Sequence, residues 1–234
     1  MKQPKDYLAL AIDNTDDLAT IESLVAQTAP YIGTFKIGFE QFVRFGPPVL
    51  DVVKKHGAKI FLDLKLHDIP NTVGKAVEAA AAHEVDILTV HASGGSEMLK
   101  AAGAAAAKAK HPPKIVAVTV LTSISEEALN GELGVAGKLS DQVANLAKLA
   151  ANAGLSGIVC SAADLAFVKQ GLPAGFEIVT PGIRPAGVDA GDQKRIATPR
   201  EAIDGGSTLL VLGRAVTAAA DPAAAAKAIL ESIS

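Results

Sequence analysis

Short runs of apolar, β-prone residues recur along the whole chain, and amphipathic or alanine-rich stretches fill the gaps between them. The runs cover residues 7–13, 32–37, 59–65, 87–91, 114–121, 157–161, 177–180 and 209–213. Eight runs in 234 residues give one strand-plus-helix unit per roughly 29 residues, close to the ~30 of a βαβ motif. YLALAI, KIVAVTV and LLVLG are nearly continuously apolar rather than alternating. That is the pattern of parallel strands covered by helices on both faces.

Helical periodicity lies between the runs, in DDLATIESLVAQ, TVGKAVEAAAAHE and SDQVANLAKLAANAG, the last stopping at Asn152-Ala153-Gly154. AAGAAAAKAK predicts a solvent-facing helix, because alanine is the best helix former. No Pro/Gly/Ser-rich linker divides the chain, so residues 1–234 are expected to form a single domain. Eight unbroken units favour an α/β fold of the closed (β/α)₈ barrel type. An open doubly wound sheet would more often carry a glycine fingerprint after its first strand. Here that turn is Asp13-Asn14-Thr15-Asp16-Asp17, without a glycine, which disfavours a dinucleotide site.

Composition removes several function classes. Apolar residues make up 49% and charged residues 20%, an ordinary globular balance. A net charge of −3, aromatics at 4% and no Trp offer nucleic acid neither a basic surface nor a stacking platform. No apolar window is long enough to span a membrane, and MKQPKDYLALAID lacks a secretory h-region. A soluble, cytoplasmic protein is expected. The lone cysteine, Cys160, excludes an internal disulfide and a multi-cysteine metal site, and its apolar run predicts a buried, inert thiol.

Chemistry concentrates where strands end. Asp13, Lys36, Asp63 with Lys65, His91, Thr122 and Gly213-Arg214 close successive runs, and in a barrel those ends converge on one mouth. In FLDLKLHD the alternation of a strand sends Asp63 and Lys65 to the same side. They could be a structural ion pair; Lys36 on the neighbouring strand leaves surplus positive charge that argues for use instead. Asp68 precedes Ile69-Pro70 at a helix start, where a carboxylate suits the dipole. His67 and His91 read as core or hydrogen-bonding residues. Two longer connections, 122–139 and 182–197, follow strands and would overhang the mouth. Thr180-Pro181-Gly182-Ile183-Arg184-Pro185 and Val211-Leu212-Gly213-Arg214 end the last two strands, where barrels frequently bind phosphate. A barrel enzyme acting on a small phosphorylated anion is as far as the residues alone lead.

The segment Asp63-Leu64-Lys65-Leu66-His67-Asp68-Ile69-Pro70-Asn71-Thr72 resembles the signature of the orotidine 5′-monophosphate decarboxylases. Ala9–Asp13, Phe35-Lys36-Ile37-Gly38, Leu121-Thr122-Ser123, Val179–Pro185 and Leu212-Gly213-Arg214 extend the likeness over nearly the whole chain. DxKxxD alone is shared with related phosphosugar lyases; DIPNT, PGIRP and Lys36 make the match specific. The length is similar to the compact stand-alone bacterial form.

The resemblance implies a homodimeric, cofactor-free enzyme that converts orotidine 5′-monophosphate to UMP and CO₂, the last step of UMP synthesis. It implies a charge network of Lys36, Asp63, Lys65 and Asp68, with Asp68, Ile69 and Thr72 reaching the partner's site. Asp13 and Lys36 would hold the ribose, Thr122 the pyrimidine, and Arg184, Gln193, Gly213 and Arg214 the phosphate. Lys65 would stabilise and then protonate the C6 carbanion. No metal is implied. Two rivals remain: a Mg²⁺-dependent lyase such as a 3-keto-gulonate 6-phosphate decarboxylase, which places an acid where Lys36 stands, and a non-catalytic nucleotide-binding barrel.

Overall fold

The computed structural model describes residues 2–13, 15–185 and 197–234. Eight parallel strands follow one another around a closed barrel. They are β1 (Leu8–Ile12), β2 (Thr34–Gly38), β3 (Lys59–Leu66), β4 (Ile87–His91), β5 (Lys114–Val118), β6 (Gly157–Val159), β7 (Glu177–Thr180) and β8 (Leu209–Leu212), with β8 closing onto β1. The helices between them are α1 (Leu18–Thr28), α2 (Phe39–Phe45), α3 (Pro48–Lys55), α4 (Pro70–Ala81), α5 (Gly95–Ala107), α6 (Glu126–Gly131), α7 (Leu139–Asn152), α8 (Leu165–Val168), α9 (Pro199–Gly205), α10 (Arg214–Thr217) and α11 (Pro222–Ile233). The fold is the single (β/α)₈ barrel that the repeated pattern predicts.

The continuous apolar runs follow from burial on both faces. Ala9, Ala11, Phe61, Ile87, Val116, Val179, Leu209 and Val211 fill the barrel interior as one cluster. The alternate residues, among them Leu8, Leu10, Ile37, Ile60, Leu62 and Leu88, join the helices in a second, larger one. Successive strand side chains point to opposite faces, so most strands serve two cores; β2, which carries Thr34 and Lys36, adds nothing to the inner cluster. At Gly157 the packing is tight enough that an added Cβ would run into the Glu177 carbonyl of β7.

Three expectations need correction. Strand β5 is shorter at its carboxyl end than its apolar run: it stops at Val118 rather than Leu121 because β6, its partner, ends at Val159. The connection 122–139 is not without secondary structure; it contains α6, whose first turn is capped by Ser125 Oγ accepting from Ala128 N at 3.2 Å. The alanine-rich helix α5 is not solvent-facing as a whole, since Ala102, Ala105 and Ala106 are buried. Small side chains let it lie close to α4, where an added Cβ on Gly74 would stand 3.8 Å from the Ala101 carbonyl. The second long connection, 182–197, falls largely outside the described residues; at its two ends Arg184 N donates to Ala197 O at 3.0 Å.

Candidate active site

The carboxyl ends of β1, β2 and β3 set four charged groups in a row. Lys36 Nζ stands 3.6 Å from Asp13 Oδ1 and 3.5 Å from Asp63 Oδ2, and Lys65 Nζ stands 2.8 Å from the same Asp63 oxygen. Asp63 is only 8% exposed. Burial alone would push its carboxyl up, but Lys36, Lys65 and hydrogen bonds from Lys65 and Thr89 outweigh it and hold the group below the ordinary carboxylate range. Because Asp13 joins the row, two ammonium groups face two carboxylates, and the surplus positive charge inferred from Lys36, Asp63 and Lys65 alone is balanced.

Asp63 and Lys65 do share a side, but not by simple strand alternation. Lys65 has φ +46°, and among the described residues Glu84 is the only other non-glycine with positive φ. Such a backbone costs about 1–3 kcal/mol and persists only where its surroundings enforce it. The β3–β4 register breaks at this point: Leu62 faces Leu88, and the next pair is Leu66 with Val90. Thr89 sits in the break. Its hydroxyl accepts from Lys65 N at 2.8 Å and donates to Asp63 Oδ1 at 2.9 Å.

Two cavities meet at this row. One, of about 160 Å³, is mainly apolar and lined by Phe61, Val118, Val159, Cys160 and Val211, with Thr122 at its edge and Lys36, Asp63 and Lys65 on its charged side. The other, of about 400 Å³, shares Lys36, Asp63, Pro181 and Val211 and adds Asp13, Gly182, Arg184, Gly213 and Arg214. Gly182 turns the chain there with φ +78°. Arg184 is 7% exposed and gives Nη1 to the Ile183 carbonyl at 2.9 Å. Burial and the neighbouring Arg214 press its guanidinium below the usual value, an arrangement that an anion would relieve.

The structure thus gathers Asp13, Lys36, Asp63, Lys65, Thr122, Arg184, Gly213 and Arg214 around one mouth. Asp68 takes no part in the charge row; its Oδ1 accepts from Ile69 N at 2.6 Å just before α4, whose N-cap is Ile69 rather than Asp68. Ile69 is 66% exposed and Thr72 is also exposed. Phe39, likewise exposed, has its ring centroid 5.6 Å from Lys65 Nζ. Gln193 lies outside the described residues. Cys160 is buried as expected, and burial drives its thiol upward, away from reactivity. His91 is half-buried with its ring 5.4 Å from that of His67. Sequence reasoning missed Thr89 and the apolar wall; inward alternation along β5, β6 and β8 was the signal available for Val118, Val159 and Val211.

Fold and site together define a (β/α)₈-barrel enzyme whose charged groups surround an apolar slot and a basic one. The profile of the orotidine 5′-phosphate decarboxylase / HUMPS family matches residues 6–229. A relative from Moorella thermoacetica, named orotidine 5′-phosphate decarboxylase, is 48% identical over 98% of this chain and 92% of its own length. One of the same name from Idiomarina loihiensis is 47% identical over 100% of this chain and 99% of its own. The crystal structure of orotidine 5′-phosphate decarboxylase from Lactobacillus acidophilus superposes with a TM-score of 0.85 at 37% identity, covering 97% of this chain and 98% of that one. The chain belongs to the orotidine 5′-phosphate decarboxylase / HUMPS family and is an enzyme of the carboxy-lyase class.

Proposed function

We propose that this chain, acting as one catalytic domain of a cytoplasmic homodimer, converts orotidine 5′-monophosphate to UMP and CO₂ without a cofactor, as the last step of UMP biosynthesis. The observation that carries this reading is the Asp13–Lys36–Asp63–Lys65 row at the lip of an apolar slot. The slot suits a flat pyrimidine, with Thr122 at its edge. The adjoining cavity suits the rest of the nucleotide: Asp13 and Lys36 take the ribose hydroxyls, and Arg184, Gly213 and Arg214 take the phosphate; Gln193, outside the described residues, is assigned to the phosphate by the family resemblance alone.

In the reaction the bond from C6 to the carboxylate breaks and its electron pair stays on C6, in an orbital that the ring cannot delocalise well. A fixed ammonium stabilises charge developing at that position. Lys65 then gives a proton to C6, leaving a neutral amine that solvent reprotonates. Asp63 has two effects. It attracts the Lys65 ammonium, 2.8 Å away, and a unit pair at 4 Å is worth ~4 kcal/mol at an effective dielectric near 20. It also repels the substrate carboxylate, an unfavourable contact that disappears as neutral CO₂ forms. Phosphate contacts remote from C6 supply binding free energy that orients the ring.

Asp68, Ile69 and Thr72 complete the site of the second protomer in this reading. Their exposure supports it: Ile69 is 66% exposed, and Phe39, whose ring lies 5.6 Å from Lys65 Nζ, is also exposed, apolar side chains that a second copy could cover. A metal-dependent mode is disfavoured by Lys36, whose ammonium lies within 3.6 Å of both neighbouring carboxylates and would compete with any cation there. The test is pyrimidine absorbance with orotidine 5′-monophosphate in buffer containing excess chelator. Sustained conversion to UMP is expected. Turnover that stops with chelator and returns with Mg²⁺ would favour the lyase, and tight UMP binding without CO₂ release would favour the nucleotide-binding barrel.

A further inference from the structure

Lys65 must present its ammonium to one carbon while its own backbone occupies a conformation that lysine avoids. Nothing in Lys65 itself holds it there. The ladder to β4 is interrupted, since four steps along β3 from Leu62 to Leu66 match two along β4 from Leu88 to Val90. Within that gap the Lys65 amide donates to the Thr89 side-chain hydroxyl, at 2.8 Å. Thr89 is fully buried.

A hydroxyl has one proton to give, and this one goes to Asp63 Oδ1 at 2.9 Å. The other carboxylate oxygen, Oδ2, faces the Lys65 and Lys36 ammonium groups at 2.8 and 3.5 Å. Both oxygens of Asp63 are therefore engaged, one by Thr89 and one by the two lysines. The polarity is also fixed: an ionised carboxylate only accepts, so the hydroxyl proton points to Asp63 and the lone pairs remain for Lys65 N.

We propose that Thr89 is a positioning residue for the proton transfer, its hydroxyl fixing the left-handed backbone of Lys65 and the carboxylate of Asp63 in one geometry. The inference rests on the reading of Lys65 as proton donor and adds the part that aims it. Without the hydroxyl, the Lys65 amide and Asp63 Oδ1 lose the partner they share. Lys65 would then be free to leave its left-handed backbone, and the 2.8 Å contact of its ammonium with Asp63 Oδ2 would no longer be fixed.

Steady-state kinetics with orotidine 5′-monophosphate on Thr89→Val and Thr89→Ser test this. Thr89→Val keeps the shape and removes the hydroxyl; its kcat should fall about 100-fold, the scale of a roughly 1 Å misplacement. Its KM should stay within about threefold of wild type, because binding contacts are untouched. Thr89→Ser, which keeps the hydroxyl, should recover most of kcat. Should Thr89→Val not fold, Thr89→Ala carries the same expectation for kcat. A kcat for Thr89→Val or Thr89→Ala within about threefold of wild type would overturn the inference, as would a loss that Thr89→Ser fails to restore. Those results with an active wild-type enzyme would leave the decarboxylase reading intact, whereas an inactive wild-type protein would overturn both.

Discussion

The floor of the barrel, at the amino ends of the strands, encloses a cavity of about 400 Å³, as large as the basic cavity at the mouth. It too is lined by charge: Lys2, Asp6, Lys59, Glu84, Asp86, His111, Lys114 and Glu177. The difference is in what those charges do. On the floor they pair across neighbouring segments, Lys59 with Asp6 at 3.2 Å and Lys114 with Glu177, while Asp86 accepts from Ile60 N at 2.7 Å. The lysines there are half-exposed, so these pairs are screened and each contributes little. At the mouth the row includes a buried carboxylate, borders an apolar slot, and brings two guanidinium groups close enough to repel. Charge density does not mark the working end of this barrel. Burial beside an apolar slot does.

The same chemical change at both ends should break the symmetry most clearly. Asp63→Asn at the mouth is expected to lower kcat by about 10²–10³-fold, the scale of one lost electrostatic stabiliser. Steady-state turnover checks it, and a loss under about threefold would place Asp63 among structural pairs like those of the floor. Arg214→Ala should come next, raising KM for the phosphorylated substrate about 10–100-fold, the worth of a charge-assisted hydrogen bond. Activity on the nucleoside that lacks the phosphate should hardly change, and an equal loss on both substrates would contradict the phosphate role. Glu177→Gln on the floor should leave kcat unchanged and cost about 1 kcal/mol of stability, read from urea unfolding. A kinetic effect there would erase the contrast.

The smallest effect concerns His91. Burial, His67 and Lys65 hold its imidazole below the ordinary value, with Asp63 opposing them. The fold therefore favours the neutral ring. As pH falls below about 6.5 the unfolded chain takes up more protons at this position than the native one, and stability declines. Above that value the contribution is fully present. His91→Asn should make the loss of stability between about pH 7 and pH 5 shallower; an unchanged slope would show that another group titrates there. Asp63 has the same direction in pH, although burial raises its carboxyl and is outweighed by Lys36 and Lys65. Its depressed carboxyl contributes stability above the ordinary carboxylate range, lost as pH falls through the lower folded value.

The architecture was legible because both-face burial leaves the strands mostly apolar, so the eight runs stand out and the charged residues near their carboxyl ends mark the mouth. The charge row was legible for the same reason, up to Asp13, whose place beside Lys36 depends on the β1–β2 register of Ala11 with Lys36. What was hidden depends on departures from regularity. The left-handed backbone at Lys65 and the register break that admits Thr89 have no local signature, since a lysine and a threonine in apolar strands look ordinary. Asp68 lies in the turn between Leu66 and Pro70, exposed and hydrogen-bonded to Ile69 N, so a single chain shows no contact that bears on its place in a partner's site. Helix α6 was passed over because a six-residue helix has too few turns to display a period.

Substitution of Lys65 bears on the whole account more directly than any other change. Single-turnover conversion of orotidine 5′-monophosphate by Lys65→Ala, beside a melting curve showing an intact barrel, should fall by at least about 10⁴-fold. A folded Lys65→Ala that still releases CO₂ within about tenfold of the wild-type rate would contradict it.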